Sequence, residues 1–303
     1  MFIGGSKPSR TRSFPALDYD LAATLDSGQA FRWRARGRDW IGVVDRRWVR
    51  LRAEEKAFTA ETAIPVSDWN WLTDFLQVEV DLAKVVKTFP EDAPMQAAVE
   101  ACRGLRLLRQ DPWECLASFI LSSTKQIVQI RQIVTLLCER FGESVAVPAG
   151  EGVTWAFPSA ARLAGATEPD LRACKMGFRA PNLLAVARQV ANGQFDLRRL
   201  AGLPVDEARA ALMTLPGVGR KIADCVLLFA YGHQSAFPVD VWVMKALQQL
   251  YFPRRRVKPE RLHRFAASHF GPNAGYAQQY LFHYMRTKQG RPSVSNQPGG
   301  EAK

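Results

Sequence analysis

The sequence predicts an α+β protein: a small N-terminal antiparallel β-sheet domain followed by a helical body. Three observations carry this. Between Phe31 and Ala53, apolar and charged residues alternate in short runs separated by turn signals. After about Trp69, apolar residues recur at helical spacing, with Gly or Pro between most of the segments. Within that region, Leu215-Pro216-Gly217-Val218-Gly219 joins two helical patterns through a tight turn.

In the first region Phe31 and Trp33 alternate with Arg32 and Arg34. Arg36-Gly37-Arg38-Asp39 turns the chain, and Trp40 to Val44 is apolar. Asp45-Arg46 turns it again, and Val49 and Leu51 alternate with Arg50 and Arg52. This describes a meander with one wet face. Asp111-Pro112-Trp113-Glu114 then starts a helix, with an N-cap Asp, Pro at the first position and Glu placed for a capping box. Further helices are expected at 125–140, 181–192, 206–213, 221–231, 241–250, 259–270 and 276–286. The division expected is a flexible basic tail over 1–12, the β domain with helices over 13–104, the helical body over 105–288, and a second tail over 289–303.

The chain has 303 residues and a formal charge of +12. An excess of this size favours polyanion partners, because neutralising phosphates releases counterions. The five cysteines (Cys102, Cys115, Cys138, Cys174, Cys225) show no metal spacing, so neither an iron–sulfur cluster nor another metal is expected. The N-terminus lacks a long apolar core, and no apolar run is long enough to span a membrane. The expectation is a monomer in a reducing compartment, beside the nucleoid of a bacterium or in the nucleus of a eukaryote, without a cofactor.

The glycines of the hairpin leave backbone N–H groups unshielded, and the helix after them points its positive end outward. That makes a phosphate site. An ordinary helix connector explains the same residues. Arg220 and Lys221 then stand in the helix's first turn, where the dipole disfavours cations, and such a broken local rule marks function. A neutral amine is what Schiff-base chemistry needs. Asp240 precedes an apolar helix and reads equally as its N-cap. It lies 19 residues beyond Lys221, so one helix and a return loop could bring the two together.

Leu215 to Leu228, followed by Phe237 to Val241, resembles the helix-hairpin-helix-Gly/Pro-Asp superfamily of base-excision glycosylases, and within it the 8-oxoguanine DNA glycosylase/AP lyase family. Supporting segments are Ser27 to Trp33, Arg106 to Pro112, Gly177 to Ala180 and Ala274 to Gln278. The resemblance implies an enzyme that flips a damaged nucleotide out of duplex DNA and cuts its glycosidic bond. It assigns Lys221 as the amine nucleophile and Asp240 as the carboxylate that stabilises the cationic sugar. It makes Gly28 the backbone carbonyl that tests for the N7–H of 8-oxoguanine. Gln278 reads the Watson–Crick edge, and Cys225 and Phe282 sandwich the base. DNA contacts fall to Gly217, Gly219, Arg220, Trp242, the wedge Phe178 and the opposite-base reader Arg179.

Departures from the family pattern matter too. Phe178 stands where tyrosine is commoner, and Trp242 replaces a histidine that touches phosphate. Thr124 and Gln129 replace an asparagine and an arginine that read the opposite base. Two other readings stay open: a related glycosylase for alkylated bases, which would lack the lysine, and a non-catalytic lesion-binding hairpin protein.

Overall fold

A computed structural model describes residues 8–123 and 125–288. The chain begins with β1 (Ser9–Pro15), α1 (Leu21–Asp26), β2 (Arg34–Arg36), β3 (Asp39–Val44), β4 (Arg47–Ala53) and β5 (Ala57–Val66). The five strands form one antiparallel sheet in the order β1-β5-β4-β3-β2. The expected meander is β2 to β4, with Trp40 facing Leu51 and Val43 facing Trp48. Its wet face is laced with ion pairs such as Arg52–Asp39 at 2.6 Å and Arg50–Glu61 at 3.0 Å.

Two features differ from the expectation. Residues 9–12, read as tail, lie in β1 and pair with β5. Of this strand only Phe14 is buried, so it is held by backbone pairing that leaves no apolar period to read. Phe31 and Trp33 precede β2 instead of belonging to it. Both are buried, Phe31 in the helical core and Trp33 against Gly42 of the sheet.

Next come α2 (Asn70–Leu76), whose Leu72 and Leu76 join the sheet's core, and then the helical body with α3 (Leu82–Val86), α4 (Ala93–Ala101), α5 (Pro112–Leu121) and α6 (Ile127–Phe141). A two-stranded ribbon follows, β6 (Ser144–Val145) with β7 (Thr154–Trp155), then α7 (Ala160–Ala164) and α8 (Glu168–Leu171). The last helices are α9 (Ala180–Ala191), α10 (Val205–Met213), α11 (Arg220–Val226), α12 (Val241–Tyr251), α13 (Pro259–His269) and α14 (Ala274–Lys288). Past Val226 the backbone of α11 widens into a π-turn over Leu227–Tyr231. The start of α5 is as expected, with Asp111 accepting from the Glu114 amide at 2.8 Å. Glu114 itself does not close a capping box; its carboxylate turns to Arg32 at 3.4 Å.

The two cores do not follow chain order strictly. Leu82, Met95, Ala98 and Cys102, expected in the β domain, bury their side chains in the helical core, where α4 meets α14. The sheet keeps its own smaller core around Trp33, Trp40, Leu51 and Phe58. Among the described residues, no helix is long and apolar enough to cross a membrane.

Candidate active site

The hairpin between α10 and α11 has the geometry its glycines allow. Gly217 sits at φ +77°, and a Cβ there would lie 2.5 Å from Nδ2 of Asn182 on α9. Gly219 is extended, and a Cβ there would meet nothing within 4 Å. No packing in the protein therefore forbids a side chain at Gly219; what the glycine leaves open is the amide face at the start of α11. Beneath it, buried Asp224 accepts from Arg209 Nε at 2.6 Å and faces Arg220 Nε at 3.7 Å. This pair ties α10 to α11 across the turn. Burial raises the Asp224 carboxyl, and Arg209 pulls it back. Cutting the pair on one side would leave an uncompensated charge in the core.

Lys221 leaves the first turn of α11 and reaches a cavity of about 790 Å³. Its Nζ donates to Ser122 Oγ at 3.1 Å and lies 5.2 Å from the Phe119 ring centroid. Ser122 closes the end of α5, and its hydroxyl proton is committed to Phe119 O at 2.7 Å. The oxygen is thereby left to accept from the amine, which fixes where Nζ points.

Asp240 lines the same cavity from the start of α12. It is an N-cap, as its sequence position allows: Oδ1 accepts from the amides of Trp242 at 2.9 Å and Val243 at 2.8 Å. Oδ2 accepts from none of the described residues and is available to the cavity. Burial raises the Asp240 pKa above the ordinary carboxylate range, against the opposing pull of the Val243 amide and of Lys221. Capping thus uses one carboxylate oxygen and leaves the other unengaged by the described residues.

A narrower recess opens between Gly28, Lys221, Cys225, Gln278 and Phe282, with a volume of about 40 Å³, room for only a few waters. Burial pushes the Cys225 thiol up to about 12, so it stays neutral and does not compete with the lysine as a nucleophile. Gln278 is 4% exposed, and its Oε1 has no hydrogen-bond partner. A buried, unsatisfied acceptor is costly, at roughly 1–3 kcal/mol, unless something that enters the recess donates to it.

The loop carrying Gly28 is clamped from several elements. Asp26 O accepts from Arg286 Nη1 at 2.9 Å, Ser27 O from Gln279 Nε2 at 3.0 Å, and Gln29 O from Gln110 Nε2 at 2.7 Å. The buried Asp26 carboxylate also takes Arg131 at 2.5 Å and Arg286 at 3.5 Å. Every carbonyl from 26 to 29 is occupied except that of Gly28, which accepts from none of the described residues and borders the recess. Gly28 stands at φ +81°, and a Cβ would lie 2.6 Å from Ile127 Cδ1. Gly28→Ala should therefore destabilise the fold by about 1–2 kcal/mol, the cost of left-handed backbone for an L-residue, plus the displacement of Ile127. An unchanged urea midpoint would show that the loop relaxes freely.

The rim carries exposed apolar groups: Val241, Val128 and Phe178 are 79%, 59% and 62% exposed. Phe178 is thrust outward by a kink in which Lys175 (φ +63°) and Gly177 (φ +59°) both adopt left-handed backbone. Strain of that kind is kept where a side chain must be aimed. Arg179 faces the other way. It is buried, donating to Met176 O at 3.2 Å and to Ser123 O, with its guanidinium 4.3 Å from the Phe178 ring centroid. Gln129 is exposed, and its Oε1 caps α6 by accepting from the Gln126 amide at 3.1 Å. Trp242 lines the large cavity, with its ring 5.7 Å from Lys245 Nζ. Thr124 lies outside the described residues.

The fold thus gathers Lys221, Asp240, Gly28, Cys225, Gln278 and Phe282, and turns Arg179 inward from the rim. Reading the residues did not single out Ser122, Asn182, Asp224, Gln279, or the Asp26–Arg131–Arg286 cluster. Their partners lie well away in sequence, beyond the few positions over which a spacing pattern is read.

The chain is similar to known proteins over most of its length. Residues 13–116 match the family model for the 8-oxoguanine DNA glycosylase N-terminal domain. Residues 117–272 match that for the HhH-GPD superfamily of base excision DNA repair proteins. The chain is 33% identical to the N-glycosylase/DNA lyase OGG1 of Arabidopsis thaliana, over 86% of this chain and 76% of that one. The structure of MBOgg1 bound to a low-affinity DNA ligand superimposes with a TM-score of 0.88 at 30% identity, covering 94% of this chain and 98% of that one. The Clostridium acetobutylicum 8-oxoguanine glycosylase/lyase, solved with duplex DNA carrying cytosine opposite 8-oxoG, gives a TM-score of 0.85 at 29% identity, over 93% and 99%.

Proposed function

The chain belongs to the 8-oxoguanine DNA glycosylase family, base-excision enzymes with N-glycosylase and DNA lyase activity, and from that premise we propose that it removes 8-oxoguanine from duplex DNA through an imine at Lys221. The observation that carries this reading is the meeting of Lys221 and Asp240 in one cavity, beside a recess bordered by the Gly28 carbonyl and by the unsatisfied Oε1 of Gln278.

The chemistry follows from those groups. The duplex is held by the open amides of Gly217, Gly219, Arg220 and Lys221 and by the Arg220 side chain, and Phe178 fills the stack that the flipped nucleotide leaves. The N7–H of the oxidised base donates to the Gly28 carbonyl, and its Watson–Crick edge satisfies Gln278 Oε1. Cys225 and Phe282 cover its faces. As the C1′–N9 bond breaks, its electron pair leaves with the base, which takes up a proton. The positive charge on the sugar faces Asp240 Oδ2. The Nζ lone pair bonds to C1′; one amine proton passes to the departed base and the other to O4′ as the C1′–O4′ bond breaks, which leaves the imine. Removal of a C2′ proton then expels the 3′ phosphate. The experiment is incubation with 8-oxoguanine duplex, scoring free base and strand nicking without alkali. Both products are expected; release of neither would end this reading.

The opposite base is a separate matter. Cytosine offers N3 and O2 as acceptors, and an arginine fork fits two atoms at once, for ~1–3 kcal/mol of discrimination. Gln129 stands where a second fork would be, and its amide oxygen is occupied in capping α6. Arg179 can contribute its fork only by leaving Met176 O and Ser123 O. The preference for cytosine should therefore be milder than two forks would give, by roughly 5- to 150-fold. Single-turnover excision opposite C, T, G and A checks this, with Gln129→Arg alongside. Strict cytosine preference in the wild type, unaltered by the substitution, would contradict it.

A further inference from the structure

Arginines on the sheet are mostly matched by acids, as Arg50 is by Glu61 and Glu151, and Arg52 by Asp39. The connector between α12 and α13 is different. From Arg254 to Arg264 it carries six cations (Arg254, Arg255, Arg256, Lys258, Arg261 and Arg264) and one acid, Glu260. All six are exposed, and among the described residues none is ion-paired. They equal half of the formal charge of +12. Five of them surround a shallow cavity of about 300 Å³.

This surface is built before any partner arrives. Gln248 on α12 donates to Phe252 O at 2.6 Å and to Arg255 O, and accepts from the Val257 amide at 2.9 Å. The Arg261 guanidinium lies 5.8 Å from the Phe252 ring centroid. Unpaired like charges repel, so holding them on a fixed loop costs stability unless a polyanion shares it. The cations are spread over a loop and a helix face, with no buried polar side chain to enclose one small anion, and that spread suits a row of phosphates.

Position identifies which phosphates. The eleven residues of α12 place the cluster about 16 Å from Asp240, at 1.5 Å per residue. On α13, His263 lies close enough to Arg220 for that charge to lower its pKa, which places the helix that carries Arg261 and Arg264 beside the hairpin. We propose that the Arg254–Arg264 segment is a second DNA-backbone contact, gripping the duplex that flanks the lesion about half a helical turn from the flipped nucleotide. This rests on the reading above that the substrate is duplex DNA.

The test uses the full chain with Arg255→Ala/Arg261→Ala/Arg264→Ala together. Affinity is measured on a duplex of about 30 base pairs and on duplexes trimmed to about three base pairs on one side of the lesion or the other, at several salt concentrations. On the long duplex the triple variant should bind about tenfold or more weakly, with a salt slope shallower by up to ~3, at −0.9 per phosphate contact. The wild type should lose the same affinity when one particular flank is trimmed, and the variant should be indifferent to that trimming. Single-turnover excision at saturating DNA should not change. Unchanged affinity and slope overturn the proposal. So does an equal penalty on every duplex, which is a diffuse charge effect, or a defect seen only when competitor duplex is added, which is a second-segment contact. Binding to undamaged duplex is scored separately, so absent excision by the wild type would count against the 8-oxoguanine reading and leave the flank contact measurable.

Discussion

Lys221→Gln is expected to abolish covalent capture of the protein on 8-oxoguanine duplex by borohydride, with DNA binding retained. Borohydride reduces an imine to a stable amine, and an amide nitrogen forms no imine. Glutamine is close to lysine in length and can still donate to Ser122, whose oxygen is turned toward Nζ. The hairpin amides proposed to hold phosphate are backbone groups and survive the change. A binding constant within a few-fold of wild type, with no trapped adduct, is the signature of a lost nucleophile. Trapping at wild-type yield would move the covalent role to another amine. Cys225 is no substitute, because burial keeps its thiol protonated.

Asp240→Asn is expected to reduce single-turnover excision on the order of 10²-fold or more, the scale for preorganised electrostatic groups. The comparison is clean because the cap should survive. Asn Oδ1 can accept from the Trp242 and Val243 amides as Asp Oδ1 does, and Asn caps about as well as Asp, to within a few tenths of ~1 kcal/mol. Near-normal excision in a folded variant would reduce Asp240 to a helix cap. The pH profile gives an independent reading. Burial raises the folded-state pKa of Asp240 above its unfolded value of ~3.9, so the acid limb of wild-type excision should begin above the ordinary aspartate range. The stability sign is opposite to that of an ion-paired carboxylate. Below the unfolded pKa the group is neutral in both states and carries no burial penalty. The penalty grows as pH rises toward the folded pKa and is complete above it. Asp240→Asn should thus be as stable as wild type at neutral pH, or more so, while excising far more slowly. A variant that is both slow and markedly unstable would point to structural damage.

How much of this was legible in the sequence differs between kinds of feature. Helices such as 127–141 and 241–251 fell within a residue or two of expectation, because apolar period and cap chemistry are local. Strands β1 and β5 were missed. Their pairing is a backbone property, and their side chains, rich in Ser, Arg, Thr and Ala, carry little strand signal. Which core a segment joins was not legible, because its own composition does not say which neighbour will cover it; α4 meets α14 in the helical core.

By itself the sequence determined the local devices: the hairpin with its amides bared, an amine in the first turn after it, and a carboxylate at the next helix start. Each depends on residues within a few positions, where spacing translates directly into geometry. Only the tertiary structure decided which of them meet and what is left unsatisfied when they do. The free carbonyl of Gly28 exists because Arg286, Gln279 and Gln110, from distant parts of the chain, occupy its neighbours and leave it alone. Gln278 is an open acceptor because nothing folded onto it, and Arg179 is turned inward because Met176 O and Ser123 O lie within its reach. Whether a polar group is available or occupied depends on donors that arrive from elsewhere in the chain. That is a property of the folded surface, and no spacing rule encodes it.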